Sequence, residues 1–380
     1  MCIRDSINEI FGMEKGNQVL IKQAKLMASN PSERTICARL MNDRFALCLP
    51  REEFDEKRVA DSIKELQREF SGNSFHLHTY MGVYEIRDRD EAVSIMVDKA
   101  NIAADTIKNN YDCCVAYYDE HLLEISIEQR RLLGEFEPAL QNDEFVMYLQ
   151  PQVKRDGAAK GAEALVRWVH PSRGILTPYA FIDILENAGL IYKLDLYIWE
   201  KAAQKLAEWK EKGYGSYHIS VNISTKDFYI IDIYETFTGL INKYGIAASN
   251  LHLEITETTL MTDFEKNMNI IHKLQGVGFR VEIDDFGSGY SSLNMLKDIS
   301  ADVLKIDMGF LRKSENEVKG QDILESIITL AGKIGMDVIT EGVETKKQLD
   351  MLTMMGCHEF QGYYFSKPVP VSEFEEKYLV

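Results

Sequence analysis

Val281-Glu282-Ile283-Asp284-Asp285-Phe286-Gly287-Ser288-Gly289-Tyr290 begins as a short buried strand and ends in a loop. The apolar alternation gives the strand; two carboxylates follow at its tip, and the glycines after them permit tight backbone bends. Adjacent aspartates without a compensating cation raise one another's pKa, and burial adds to the cost. A divalent metal is the simplest compensation, provided that other ligands converge on the pair. Taken alone, the pair is better explained by a solvated turn.

Working outward, strand-like runs at residues 145–149, 162–169, 217–223, 251–256, 279–285, 303–307, 337–340 and 357–360 alternate with helical stretches, clearest at 179–187, 196–212, 266–275, 323–334 and 346–355. About eight strands alternating with helices over some 250 residues predicts an α/β fold, a (β/α)8 TIM-like barrel. A doubly wound open sheet is the alternative, but no GxGxxG follows the first strand. The run 145–149 reaches residue 162 through a loop too short for a helix, so the first strand is expected to be antiparallel.

In such a barrel the site forms at the C-terminal strand ends. Glu163 and Arg167 fall on the second strand, Asn222 on the third, Glu254 on the fourth, Asp284 and Asp285 on the fifth and Lys305 on the sixth; Glu341 follows the seventh and Gln361 the eighth. Five carboxylates facing Arg167 and Lys305 leave negative charge to spare, and carboxylates with an amide oxygen suit Mg²⁺ or Mn²⁺ rather than zinc. Two such ions about 3.5 to 4 Å apart serve in-line attack on a phosphodiester. His170, His218, His252, His272 and His358 show no ligand spacing and read as ordinary surface or core histidines.

Composition sets outer bounds. At 380 residues the chain has room for a barrel and a smaller domain, and 45% hydrophobic content supplies real cores. A net charge of −17 with pI ≈ 5.0 excludes nucleic-acid binding through phosphate neutralisation, which needs a basic surface. A phosphate substrate therefore requires a local positive field, which metals and Arg167 would supply. Six cysteines without CxxC resemble neither a disulfide framework nor a zinc site, and a reducing cytoplasm is the expected compartment. No apolar run approaches the roughly 18 residues of a membrane span; a tether upstream of residue 1 stays open.

Residues 7–118 read as a mixed α+β region: a helix end at 20–28, strands at 35–40 and 45–49 around a turn at Asn42-Asp43, an amphipathic helix at 54–70, a strand at 75–84 and a helix at 90–109. Ile7-Asn8-Glu9-Ile10-Phe11-Gly12, Lys15-Gly16-Asn17, Ala38-Arg39-Leu40 and Asp98-Lys99-Ala100-Asn101-Ile102-Ala103 resemble the GGDEF, or diguanylate cyclase, domain. Where that family carries Gly-Gly-Asp-Glu-Phe, this chain has Met41-Asn42-Asp43-Arg44-Phe45. The glycines that admit a nucleotide are replaced and the metal-binding Glu is Arg44, so the resemblance is to a degenerate domain without cyclase activity. The family's first strand is not recognisable in residues 1–6, so the chain is expected to begin inside this domain. Residues 1–121 are assigned to it and residues 122–380 to the second domain, with a helix expected at 128–141.

Glu163-Ala164-Leu165 followed by Val166-Arg167-Trp168 resembles the EAL domain, the phosphodiesterase family that linearises cyclic di-GMP. Leu149-Gln150-Pro151, Ser220-Val221-Asn222-Ile223-Ser224, Leu253-Glu254-Ile255-Thr256-Glu257, the Asp284-Asp285-Phe286-Gly287-Ser288-Gly289-Tyr290 segment, Lys305-Ile306-Asp307, Glu341-Gly342-Val343-Glu344 and Gln361-Gly362-Tyr363 match in the same order. The resemblance implies two Mg²⁺ or Mn²⁺ and hydrolysis of cyclic di-GMP to linear pGpG in bacterial signalling. It implies Glu163, Asn222, Glu254 and Asp284 as ligands of one metal, and Asp284, Asp285 and Glu341 for the second. Lys305 would hold the attacking water, with Glu341 and Asp285 beside it in the catalytic set. Gln150, Leu165, Arg167 and Gln361 would touch substrate, and Glu257 would anchor the loop 286–292, which couples dimerisation to metal binding. A homodimer through the EAL domain and GTP at the degenerate domain are the further partners implied. A non-catalytic cyclic di-GMP receptor is the competing reading.

Overall fold

A computed structural model describes residues 13–28, 32–70, 77–108, 113–286, 299–307 and 317–379. The chain divides into two compact units, Met1–Arg131 and Leu132–Val380.

In the first unit, helix α1 (Met13–Ala28) and helix α2 (Glu56–Phe70) share a small core of Val19, Leu66 and Leu77. Between them lies an antiparallel hairpin, β1 (Ile36–Arg39) with β2 (Phe45–Cys48), as the turn at Asn42-Asp43 predicts. Asn42 takes a left-handed φ of 57°, and the Arg39 guanidinium donates to its carbonyl at 2.8 Å. The strand expected at 75–84 is shorter than its apolar pattern: among the described residues only β3 (Met81–Val83) is strand, paired in parallel with β4 (Val115–Tyr117). Helix α3 (Val93–Asp105) lies directly on Gly82, where an added Cβ would fall 1.8 Å from the Ala100 carbonyl oxygen. The opening motif at residues 7–12 lies outside the described residues.

Helix α4 (Glu120–Gln141) begins eight residues earlier than the sequence pattern indicates. The division between units at Arg131 and Leu132 falls inside it.

The second unit is a closed barrel. Eight strands form the ring: β5 (Phe145–Lys154), β6 (Ala159–His170), β8 (His218–Ile223), β9 (Leu251–Thr256), β10 (Val281–Asp284), β11 (Val303–Asp307), β12 (Asp337–Glu341) and β13 (Glu359–Phe360). Six contiguous pairings from β6 to β13 are parallel, while β5 runs antiparallel to both β6 and β13, as the short first loop predicts. The reversal is local turn chemistry. Gly157 at φ 84° and the Asp156 side chain, which accepts from the Ala158 amide at 3.0 Å, fold β5 straight back into β6. Two short strands escaped the sequence reading: β7 (Gly174–Leu176) pairs with the far end of β6, and β14 (Val369–Pro370) with β5.

Strand residues alternate between two environments. Ile219, Val221, Leu251, Leu253, Ile255, Val281, Ile283, Leu304 and Ile306 are buried in the apolar core. The intervening positions are polar and meet one another inside the ring. The period of two therefore selects which side chains can build a site. Helix α6 (Ile191–Glu211) contributes Trp199, whose indole N–H donates to the Asn222 carbonyl at 2.9 Å and fixes the end of β8.

Candidate active site

The centre of the site is an amine. Lys305 projects from the middle of β11 and is fully buried, with Nζ 2.7 Å from Glu341, 2.8 Å from Glu254 and 3.5 Å from both Glu163 and Asp284. Four strands other than its own thus deliver one carboxylate each. Asn222 donates through Nδ2 to Glu163 at 3.0 Å, and Gln361 donates through Nε2 to the other Glu163 oxygen at 2.5 Å. Gln361 also lies 3.4 Å from Gln150, whose own amide donates to the Ser366 carbonyl at 3.3 Å. Gln361 is held in place by Gly362. A Cβ there would strike the Val343 backbone at 2.2 Å, and the Val343 amide donates to the Gln361 carbonyl at 3.2 Å.

One cation among four carboxylates leaves the group short of positive charge. Burial opposes the charge on Lys305, but Asp284, Glu163, Glu254 and Glu341 outweigh it and hold the amine well above its ordinary range. The carboxylates carry the deficit. Burial, reinforced by Asp284 and Glu163 against the pull of Lys305, pushes Glu341 up to about 8. Burial and the Glu163 charge raise Glu254 well above the carboxylate range. The second oxygen of Glu254, Oε1, is buried with no hydrogen-bond partner among the described residues. An oxygen-rich cluster that is over-supplied with negative charge and keeps an unpartnered carboxylate oxygen fits a hard divalent cation.

Asp284, Glu163, Asn222, Glu254, Glu341, Lys305, Gln361 and Gln150 are thus brought together. Asp285 is adjacent and exposed: it takes a left-handed φ of 55°, and its amide donates to Asp284 Oδ1 at 2.9 Å. Arg167 and Leu165 lie farther along β6, both half-buried. The Arg167 guanidinium sits 5.5 Å over the Tyr148 ring and donates to the Val166 carbonyl at 2.8 Å. Glu257 opens helix α9 (Glu257–Thr262) directly after β9 and is buried. The loop it is expected to anchor lies, from residue 287, outside the described residues.

Sequence reasoning missed a second polar layer inside the ring, made of Gln152, His218, Ser220, His252 and Glu282, all buried. The signal was present: Ser220, His252 and Glu282 each stand two residues before a metal-competent side chain, and Gln152 two after Gln150. His218 and His252 read as ordinary histidines, yet they stack in the barrel interior.

Comparison with known proteins decides the family. A model of the EAL domain matches residues 134–368. The chain belongs to the EAL domain family. The Diguanylate cyclase, GGDEF domain model matches residues 5–112, ahead of the EAL unit. The bifunctional diguanylate cyclase/cyclic di-GMP phosphodiesterase MucR of Pseudomonas aeruginosa is 30% identical over 97% of this chain and 54% of its own length. The cyclic di-GMP phosphodiesterase PdeR of Escherichia coli is 33% identical over 63% of this chain and 36% of its own. This chain spans about half the length of the curated relatives that match it throughout. A solved structure described as "PaMucR Phosphodiesterase, c-di-GMP complex" shares 33% identity at a TM-score of 0.61, covering 64% of this chain and 99% of that one. A cGMP-bound form of the EAL enzyme Bd1971 shares 31% identity at TM-score 0.61, covering 67% and 70%.

Proposed function

We propose that the EAL unit hydrolyses cyclic di-GMP to linear pGpG with two Mg²⁺ or Mn²⁺. The observation that carries this reading is Lys305 buried against Glu163, Glu254, Asp284 and Glu341, with a buried Glu254 oxygen left unpartnered. Glu163, Asn222, Glu254 and Asp284 would hold one ion, and Asp284, Asp285 and Glu341 the other. Divalent cations bound there lower the pKa of water and neutralise charge that develops on phosphate oxygens. Asn222 and Gln361 orient Glu163 from opposite sides. Lys305, within 3.5 Å of all four carboxylates, would hold the attacking water beside the phosphate. Gln150, Leu165, Arg167 and Gln361 are assigned to substrate; Arg167, propped by Tyr148, offers the planar donor fork that matches phosphate oxygens.

The test is nucleotide chromatography after incubation of the purified chain with cyclic di-GMP and Mg²⁺ or Mn²⁺, with and without a chelator. Formation of pGpG, lost with the chelator and in Glu163→Gln, supports the hydrolase. A chain that binds cyclic di-GMP yet forms no pGpG is a receptor instead. The same reading extends to a homodimer through the EAL unit and to a cytoplasmic setting. The first unit is proposed to regulate rather than cyclise, with GTP as its candidate ligand, because Arg44 replaces the metal-binding Glu.

A further inference from the structure

Toward the N-terminal ends of the strands that carry the carboxylates, the second polar layer has no part in the proposed hydrolysis. Glu282 is completely buried. Its Oε1 accepts from His252 Nδ1 at 2.6 Å and from Ser220 Oγ at 3.3 Å, while Oε2 has no partner among the described residues. His218 Nε2 lies 2.7 Å from Gln152 Oε1, and its ring lies face to face with that of His252, centroids 3.8 Å apart and planes within 4°. One donor atom each from His218, His252 and Glu282 lies within 4.8 Å of the other two. Space for the His218 ring is provided by Gly161, where a Cβ would fall 2.4 Å from it.

We propose that His218, His252 and Glu282 bind a divalent transition-metal ion of the zinc class, at a site separate from the carboxylates around Lys305. Two imidazoles with one carboxylate are a donor set that suits Zn²⁺, Co²⁺ or Ni²⁺, whereas Mg²⁺ selects the all-oxygen cluster above. The unpartnered, fully buried Glu282 oxygen is the second observation: an ionised oxygen without a donor is costly, and a cation supplies what no side chain does. Burial, and then the neighbouring His252, keep His218 neutral, the form that ligates metal. With its Nε2–H given to the Gln152 carbonyl oxygen, Nδ1 carries the lone pair, an arrangement common to metal-bound histidines. Parallel rings point their lone pairs side by side, so binding turns one imidazole out of the stack. This inference does not depend on the hydrolase reading.

The experiment uses the full chain, stripped with chelator, supplied with excess Mg²⁺ to saturate the oxygen-donor cluster, and titrated with Co²⁺. About one Co²⁺ per chain is expected, with the visible absorption of a nitrogen-ligated, low-coordinate ion. Glu163→Gln retains that absorption; His218→Gln and His252→Gln, shown to be folded by circular dichroism, lose it. If a single histidine variant fails to fold, the double variant His252→Gln/Glu282→Gln, which removes the buried charge with its partner, decides in its place. Absence of Co²⁺ uptake by the parent chain overturns the proposal. So does absorption that survives in the folded variants.

Discussion

At the residue scale, the site is a problem of charge balance around Lys305. Lys305→Met removes, among the described residues, the buried cation that Glu163, Glu254, Asp284 and Glu341 surround. Turnover of cyclic di-GMP is expected to fall by about 10²-fold or more, in line with loss of a preorganised charged hydrogen-bond donor, as read by initial rates at saturating Mn²⁺. Arg167→Ala acts differently. Its guanidinium lies outside the Lys305 cluster, so KM is expected to rise by roughly tenfold, the worth of a charge-assisted hydrogen bond, with kcat changed far less; steady-state kinetics separates the two. Most of these residues were legible in the sequence because each stands out as a charged side chain within or just after an apolar strand-like run, although Lys305, Glu163 and Glu254 lie inside their strands rather than at the ends. Glu282, His218 and His252 were not. Spacing of two residues before Glu254 and Asp284 puts His252 and Glu282 on the inward face, but that they meet at one height follows only from the register between strands.

At the element scale, the barrel and its antiparallel first strand followed from the alternation of runs and from the short connection between residues 149 and 162, which the structure narrows to 155–158. The short strands β7 and β14 did not, since each is defined by its partner rather than by its own residues. The first unit shows the same limit: the pattern across 75–84 forecast a longer strand than β3, whose extent among the described residues is set by pairing with β4. Helix packing yields a pH prediction. On α6, Asp195 is held well above the carboxylate range by burial and by Asp227, which opens the short helix α7 (Asp227–Ile230) and is raised too. The folded chain binds that proton more tightly than the unfolded one. The stabilisation is therefore full below the ordinary value of 3.8 and is lost as pH rises through the higher folded value. Asp195→Asn mimics the protonated form, so its urea midpoint relative to the parent should climb with pH and level off in alkali. Gly161→Ala is a second element-scale test. Its Cβ would meet the His218 ring across the β6–β8 ladder, and a loss of about 1–3 kcal/mol is expected from the overpacking, read by denaturant unfolding.

At the scale of the whole molecule, the two units carry opposite prospects for chemistry. The barrel gathers a carboxylate cluster, whereas the hairpin turn of the first unit reads Met41-Asn42-Asp43-Arg44 and puts a cation where a metal-binding acid is expected. Incubation with GTP and Mg²⁺ is expected to give neither cyclic di-GMP nor pGpG on chromatography, while added GTP alters the rate at which supplied cyclic di-GMP is consumed. A ring closed by a reversed strand also constrains synthesis. Strand β5 is flanked on one side by β6, which follows it at once, and on the other by β13 and β14, made some two hundred residues later. While the ribosome is still translating, that flank of β5 stays bare, and contacts of such sequence separation form slowly. A nascent chain stalled before Glu359 should thus be a target for chaperones or for sticking to its neighbours, and release of the final segment should end that exposure.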